Sequence, residues 1–231
     1  MTTDPTAGAT MPRRRGRRPK VDLDQIVELG AKIGLAELTM SALARKLGIH
    51  MTTLYGHVGN LQELRDRVGT RLLANFEVPD DPQLDARGLA IEFAMRLRSL
   101  MQSNPGLAEY VMSTLNPSVH EHHDEFVNRL VGLGVERSAA YLLADDIPGF
   151  VLSYDMLQHR VMITPDVAPV DQAGGNASVT RDGLVDPWNP TREWAGSSLS
   201  GEQIFEWTLR AHVDGVLAAI DRGDMPWDNE H

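Results

Sequence analysis

The sequence predicts an all-α fold. Apolar residues recur at helical spacing in segment after segment from Leu23 to Arg222, and no segment keeps the two-residue alternation of a strand. Helix-start residues (Asp, Thr, Asn) and glycine stops punctuate those segments. The chain has 231 residues, 42% of them hydrophobic, which is enough to build a sizeable core. It holds no cysteine, so disulfides and thiolate metal sites are excluded and a reducing cytoplasm is the expected compartment. No apolar run approaches the roughly 18 residues of a membrane span, so no membrane association is expected. The first residues lack the apolar stretch of a signal peptide.

Residues 1–21 are rich in Thr, Pro, Gly and Arg and are expected to be a disordered basic arm. A first helix begins near Leu23, with Asp22 at its N-cap and Gly34 as its stop. Thr39 can cap a second helix that places Ala42, Leu43 and Leu47 on one face and ends at Gly48. His50 leads into a short third helix, broken between Gly56 and Asn60. Asn60 can cap a fourth over residues 61–77, with the stripe Leu61, Leu64, Val68, Leu72 and Phe76. The run VPDDP at 78–82 marks a boundary, giving one domain at 22–78 and another at 79–231. Helical patterns follow at 84–102, 105–114, 119–133 and 137–163, the last with a kink expected at Pro148. Residues 164–200 are full of Pro, Gly, Asp and Ser and predict a long flexible loop. A final helix is expected over 201–222.

The net charge of −10 hides an asymmetry. Residues 1–78 hold 12 Lys and Arg against 8 Asp and Glu; residues 79–231 hold 10 against 24. A basic end on an acidic body suits a polyanion partner at that end alone. Residues 39–57 form helix, glycine turn, helix, and the small Ala44 lets two helices cross closely. Leu54 and Val58 can face a core while His50, Met51, Thr52, Thr53, Tyr55 and His57 face outward. Such short or planar polar side chains can reach phosphates and base edges in a major groove. These six, with Thr39 and Ser41 at the start of the preceding helix, are the candidate DNA-binding residues. Arg13, Arg14, Arg15, Arg17, Arg18 and Lys20 join them as an arm along phosphates or into a minor groove.

LTMSALARKLGI at 38–49 and TLYGHVGN at 53–60 resemble the DNA-binding domain of the tetracycline-repressor (TetR) family of transcriptional regulators. The preceding helix and GRRPK at 16–20 extend the likeness to about residues 15–76. Two positions depart from the family pattern: Gly56 stands where an aromatic residue is common, and Leu61 where a phosphate-contacting Lys is usual. The resemblance implies a helical effector-binding domain that dimerises through a four-helix bundle. NPGLAEYV at 104–111 and EQIFEWTLRAHVDGVLAAI at 202–220 are similar to later family segments. The implied function is a repressor released from a palindromic operator by a small molecule, acting as a homodimer.

Ligand-binding candidates in the second half are Met101, Tyr110, Met112, Phe150 and Tyr154, whose adaptable or planar side chains suit an apolar or aromatic effector, together with His123. VHEHHDEF at 119–126 brings His120, His122 and His123 together, but a solvated helix start explains it better than a metal site. Asp145 and Asp146 have no nucleophile or base nearby in sequence. No catalytic residue, metal ligand or cofactor is expected. The competing readings are an effector-independent DNA binder, a metal-dependent regulator, and an enzyme with an accessory DNA-binding domain.

Overall fold

The structure, a computed structural model, describes residues 21–114, 116–163 and 200–224, with side chains of the long eighth helix described as far as Met156. The arm residues Arg13 to Lys20 and the expected loop at 164–199 lie outside the described residues. Among the described residues there are nine helices and no strand: α1 Leu23–Ile33, α2 Met40–Leu47, α3 Met51–Val58, α4 Leu61–Leu73, α5 Ala86–Ser103, α6 Leu107–Ser113, α7 Pro117–Gly132, α8 Arg137–Ile163 and α9 Gly201–Arg222. None is long and apolar enough to cross a membrane.

The helix starts follow from side-chain capping of orphan backbone N–H groups. Asp22 accepts from the Gln25 amide at 2.8 Å, Thr39 from Ala42 at 3.1 Å, Asn60 from Glu63 at 2.9 Å and Asp85 from Gly88 at 2.7 Å. Ser200 and Gln203 form a reciprocal capping box at the start of α9. Asn116 accepts from the Ser118 amide, and Pro117 takes the first helical position, where its missing N–H costs nothing. α7 therefore begins two residues before the expected Val119. α4 ends at Leu73, four residues short of the expected 77.

That early end has a packing reason. The Phe76 ring meets Phe93 of α5 edge-on at 5.2 Å and His122 of α7 at 5.3 Å. Phe76 and Val78 are buried in the same continuous core as Phe93, Phe126, Leu143 and Phe205. The chain leaves helical geometry to seat Phe76 in that core. In the N-terminal part α1 packs on α4 and on α2, and α2 packs on α3. In the body α5 packs on α8 and α9, and α7 packs on α8.

Candidate nucleic-acid interface and effector region

α2, the turn at Gly48 and α3 form the helix-turn-helix. Gly48 sits at φ 65, ψ 30, a left-handed conformation that glycine adopts without Cβ strain. Its amide and that of Ile49 close the turn onto the Arg45 and Ala44 carbonyls. Leu43, Ala44, Leu54 and Val58 are buried where the two helices cross and α3 meets α4. With those residues fixed inward, His50, Met51, Thr52, Thr53 and Tyr55 are exposed along α3 and its entry, and His57 is half-buried. Gly56 lies on the same helix, and nothing stands within 4 Å of where its Cβ would be. Thr39 is exposed, but its hydroxyl oxygen caps α2 and lies 3.4 Å from the Ser41 hydroxyl. Arg45 and Lys46, exposed in the last turn of α2, are cations that the sequence pattern alone did not single out. Their charge beside the turn was the available signal.

The helix-turn-helix is joined to the body at a polar seam. Asn116 donates from its amide nitrogen to the Thr70 hydroxyl of α4 at 2.8 Å and to the Tyr110 hydroxyl of α6 at 2.9 Å. The Tyr110 hydroxyl donates to the Asp66 carbonyl at 3.4 Å. Burial pushes the Tyr110 phenol above its ordinary value, against the opposing hydrogen bond from Asn116. A cleft of about 890 Å³ runs along this seam, lined by Val27, Glu28, Asp66 and Thr70 on one side and Tyr110 and Asn116 on the other. A second cleft of about 240 Å³ lies beyond Tyr110, between Leu35 and Arg65 on one side and Pro105 and Glu109 on the other.

The six ligand-binding candidates do not form one wall. Met101 is fully buried in the core, Tyr110 belongs to the seam, and Met112 is 55% exposed. His123 pairs with Asp145 at 3.0 Å. Phe150 and Tyr154 do come together, around a ring outside the six candidates: Phe205 of α9 lies 5.8 Å from Phe150 and 4.9 Å from Tyr154. Arg98 of α5 lies over Phe205 at 3.8 Å and is itself 2% exposed. Its signal was positional, a cation on the stripe of Ala94, Leu97 and Met101. The three histidines of α7 diverge. His120 hydrogen-bonds the Asn116 carbonyl, His122 the Leu73 carbonyl, and His123 the Asp145 carboxylate. Among the described residues no three His, Asp or Glu side chains converge as metal ligands.

α9 divides its apolar stripe between two directions. Phe205, Leu209 and Val213 are buried against the body. Val216, Leu217 and Ile220 are half-buried, and His212 hydrogen-bonds Asp146 of α8 at 2.7 Å. Leu142 of α8 with Ala211, Gly215, Val216 and Ile220 of α9 lines a shallow groove of about 360 Å³.

No protein-family profile matches the chain, and no curated protein does. Several solved structures, by contrast, match most of it. The TetR family protein ActR of Streptomyces coelicolor, in complex with actinorhodin, is 25% identical with a TM-score of 0.62, covering 87% of this chain and 99% of its own. A single-residue variant of TetR from Acinetobacter baumannii AYE, in complex with minocycline, is 18% identical with a TM-score of 0.59, covering 85% and 96%. BioQ of Mycobacterium smegmatis is 23% identical with a TM-score of 0.52, covering 86% and 99%. The nine helices, the capped helix-turn-helix and this similarity over most of the chain identify a TetR-like fold, with the helix-turn-helix of that family's DNA-binding transcriptional regulators.

Proposed function

We propose that the chain is a ligand-responsive repressor that binds a palindromic DNA operator as a homodimer in the cytoplasm and is released by a small molecule. The observation that carries this reading is α3: a buried side formed by Leu54 and Val58, and an exposed row of His50, Met51, Thr52, Thr53 and Tyr55. A helix so held presents hydrogen-bonding side chains to a major groove at a fixed height. Arg45, Lys46 and the arm from Arg13 to Lys20 supply cations for the phosphates on either side. The groove between α8 and α9 accepts the same groove of a second copy, with Ala211, Gly215 and Ala219 allowing close approach. Two recognition helices then stand about 34–36 Å apart, one turn of DNA.

The polar seam supplies the switch. α4 carries the helix-turn-helix on one end and touches α6 and α7 through Tyr110 and Asn116 along its length. A ligand that favours a body conformation in which α6 or α7 shifts turns α4 with it and spoils the spacing of the two recognition helices. A coupling of about 1–3 kcal/mol suffices. ActR and the Acinetobacter protein, each solved with a small molecule, support a ligand of that size class for this body. Selection of bound sequences from a random duplex library by the full chain tests the DNA half of the reading. Enrichment of an inverted repeat with half-sites one turn apart is expected; no enrichment, or an unrepeated site, overturns it.

A further inference from the structure

We propose that the body takes an aromatic small molecule bearing an anionic group, and that Arg98 receives that group. The inference rests on the reading of the chain as an effector-responsive regulator and names the effector's chemical class. Arg98 is 2% exposed in the middle of α5. A guanidinium presents five N–H donors in a rigid fork. One edge goes to Glu202 at the start of α9: Nε reaches both carboxylate oxygens at 3.2 Å and Nη2 reaches Oε2 at 2.8 Å. Nη1 is buried and has no hydrogen-bond partner.

The surroundings of this cation are aromatic. Its central carbon lies 3.8 Å from the Phe205 ring centre and 5.1 Å from that of Tyr154. Phe150 stacks on Phe205 at 5.8 Å and on His212 at 5.0 Å. Phe150, Tyr154 and His212 are each half-buried, so the cluster reaches the surface. The acidic groups on this stretch of α8 are engaged, Asp146 with His212 and Asp155 in an interaction of its own.

A buried charged donor without an acceptor bears its full desolvation cost, and an apolar residue would fill the same stripe without it. Glu202 offsets the charge incompletely, because its side chain is 50% exposed and its field is screened by water. Nη1 therefore stays without an acceptor beside the half-buried ring of Tyr154. A carboxylate, sulfonate or phenolate oxygen satisfies Nη1 through a charge-assisted bond, and a flat ring system packs on the half-buried rings of Phe150 and Tyr154. A neutral ligand of the same shape satisfies only the second requirement.

The test uses the full chain and two fluorescent probes with the same rings, 8-anilinonaphthalene-1-sulfonate and the uncharged N-phenyl-1-naphthylamine. The sulfonate is expected to bind about tenfold or more tightly than the neutral amine. Arg98→Gln is expected to weaken the sulfonate by about the same factor and leave the amine unchanged. Glu202→Gln removes the competing carboxylate and is expected to tighten the sulfonate alone. Circular dichroism melts check folding; if Arg98→Gln does not fold, Glu202→Gln decides. Equal affinity for both probes, parallel losses in Arg98→Gln, or no gain in Glu202→Gln overturns the assignment of the anion while leaving room for a neutral effector in this body. Failure of both probes to bind overturns the anion and removes the support for an effector here.

Discussion

A Cβ placed on Gly69 would lie 2.1 Å from Cε1 of Tyr110, so the tyrosine ring of α6 rests on the bare backbone of α4. Gly69→Ala therefore has to push the two helices apart or turn a ring that Asn116 and the core hold in place. Overpacking of this kind costs about 1–3 kcal/mol, against about 1 kcal/mol gained from alanine's helix propensity. The packing loss wins at so short a distance. A lower melting temperature is expected, partly restored by adding Tyr110→Leu. A Gly69→Ala melt equal to the parent's means the contact is looser than described.

The same tyrosine gives a pH dependence. Its phenol is raised above the ordinary 10.0 by burial, so the unfolded chain loses that proton first. The contribution to stability is complete below pH 10.0 and drains away as pH rises through the raised folded value. Alkaline melts should show a destabilisation that Tyr110→Phe removes, and ultraviolet titration should show one phenol ionising late. A Tyr110→Phe variant with the parent's alkaline slope contradicts this.

On α3, exposure separates the proposed base-reading side chains from those that fold the helix. Substituting Thr52, Thr53 or Tyr55 is expected to leave the melt within about 0.5 kcal/mol and to change preference among operator bases by about 1–3 kcal/mol. Leu54→Ala, at the buried side, should cost about 2–5 kcal/mol of stability. Removing residues 13–20 should weaken all DNA sequences alike and reduce the salt slope by about 0.9 for each phosphate no longer neutralised. An α3 variant that weakens every sequence equally removes base reading from that helix.

Val216→Arg puts a charge into the groove between α8 and α9, which half-buried Val216 lines at the edge of the core. Sedimentation should show monomer or aggregate in place of dimer. An unchanged dimer places the interface elsewhere.

Caps and stops were the legible features of this fold. Asp22, Thr39, Asn60 and the glycines at 34 and 48 bound the first helices as side-chain chemistry requires, and the expected limits of α8 and α9 match those observed. Asn116-Pro117 carried a start signal that periodicity alone obscured. Depth was harder to read. A helical stripe says which residues share a face but not how far inside that face lies, so Met101 is fully buried while Met112 is largely exposed. Phe76 left its helix for contacts with Phe93 and His122, both distant in sequence. Arg98 was illegible because a charge in an apolar stripe reads as surface until its partner, Glu202 at the start of α9, is known.

Gly56 interrupts the exposed row of α3 with a position that has no side chain and nothing within 4 Å to obstruct one. Glycine in a helix costs about 1 kcal/mol relative to alanine, so almost any replacement there strengthens the helix that holds it. Under the proposed reading of α3, position 56 is consequently a site where a change of base preference is expected in a single step without a folding penalty. A laboratory library that varies this one residue therefore samples new side chains on the exposed row while the helix that carries them gains stability.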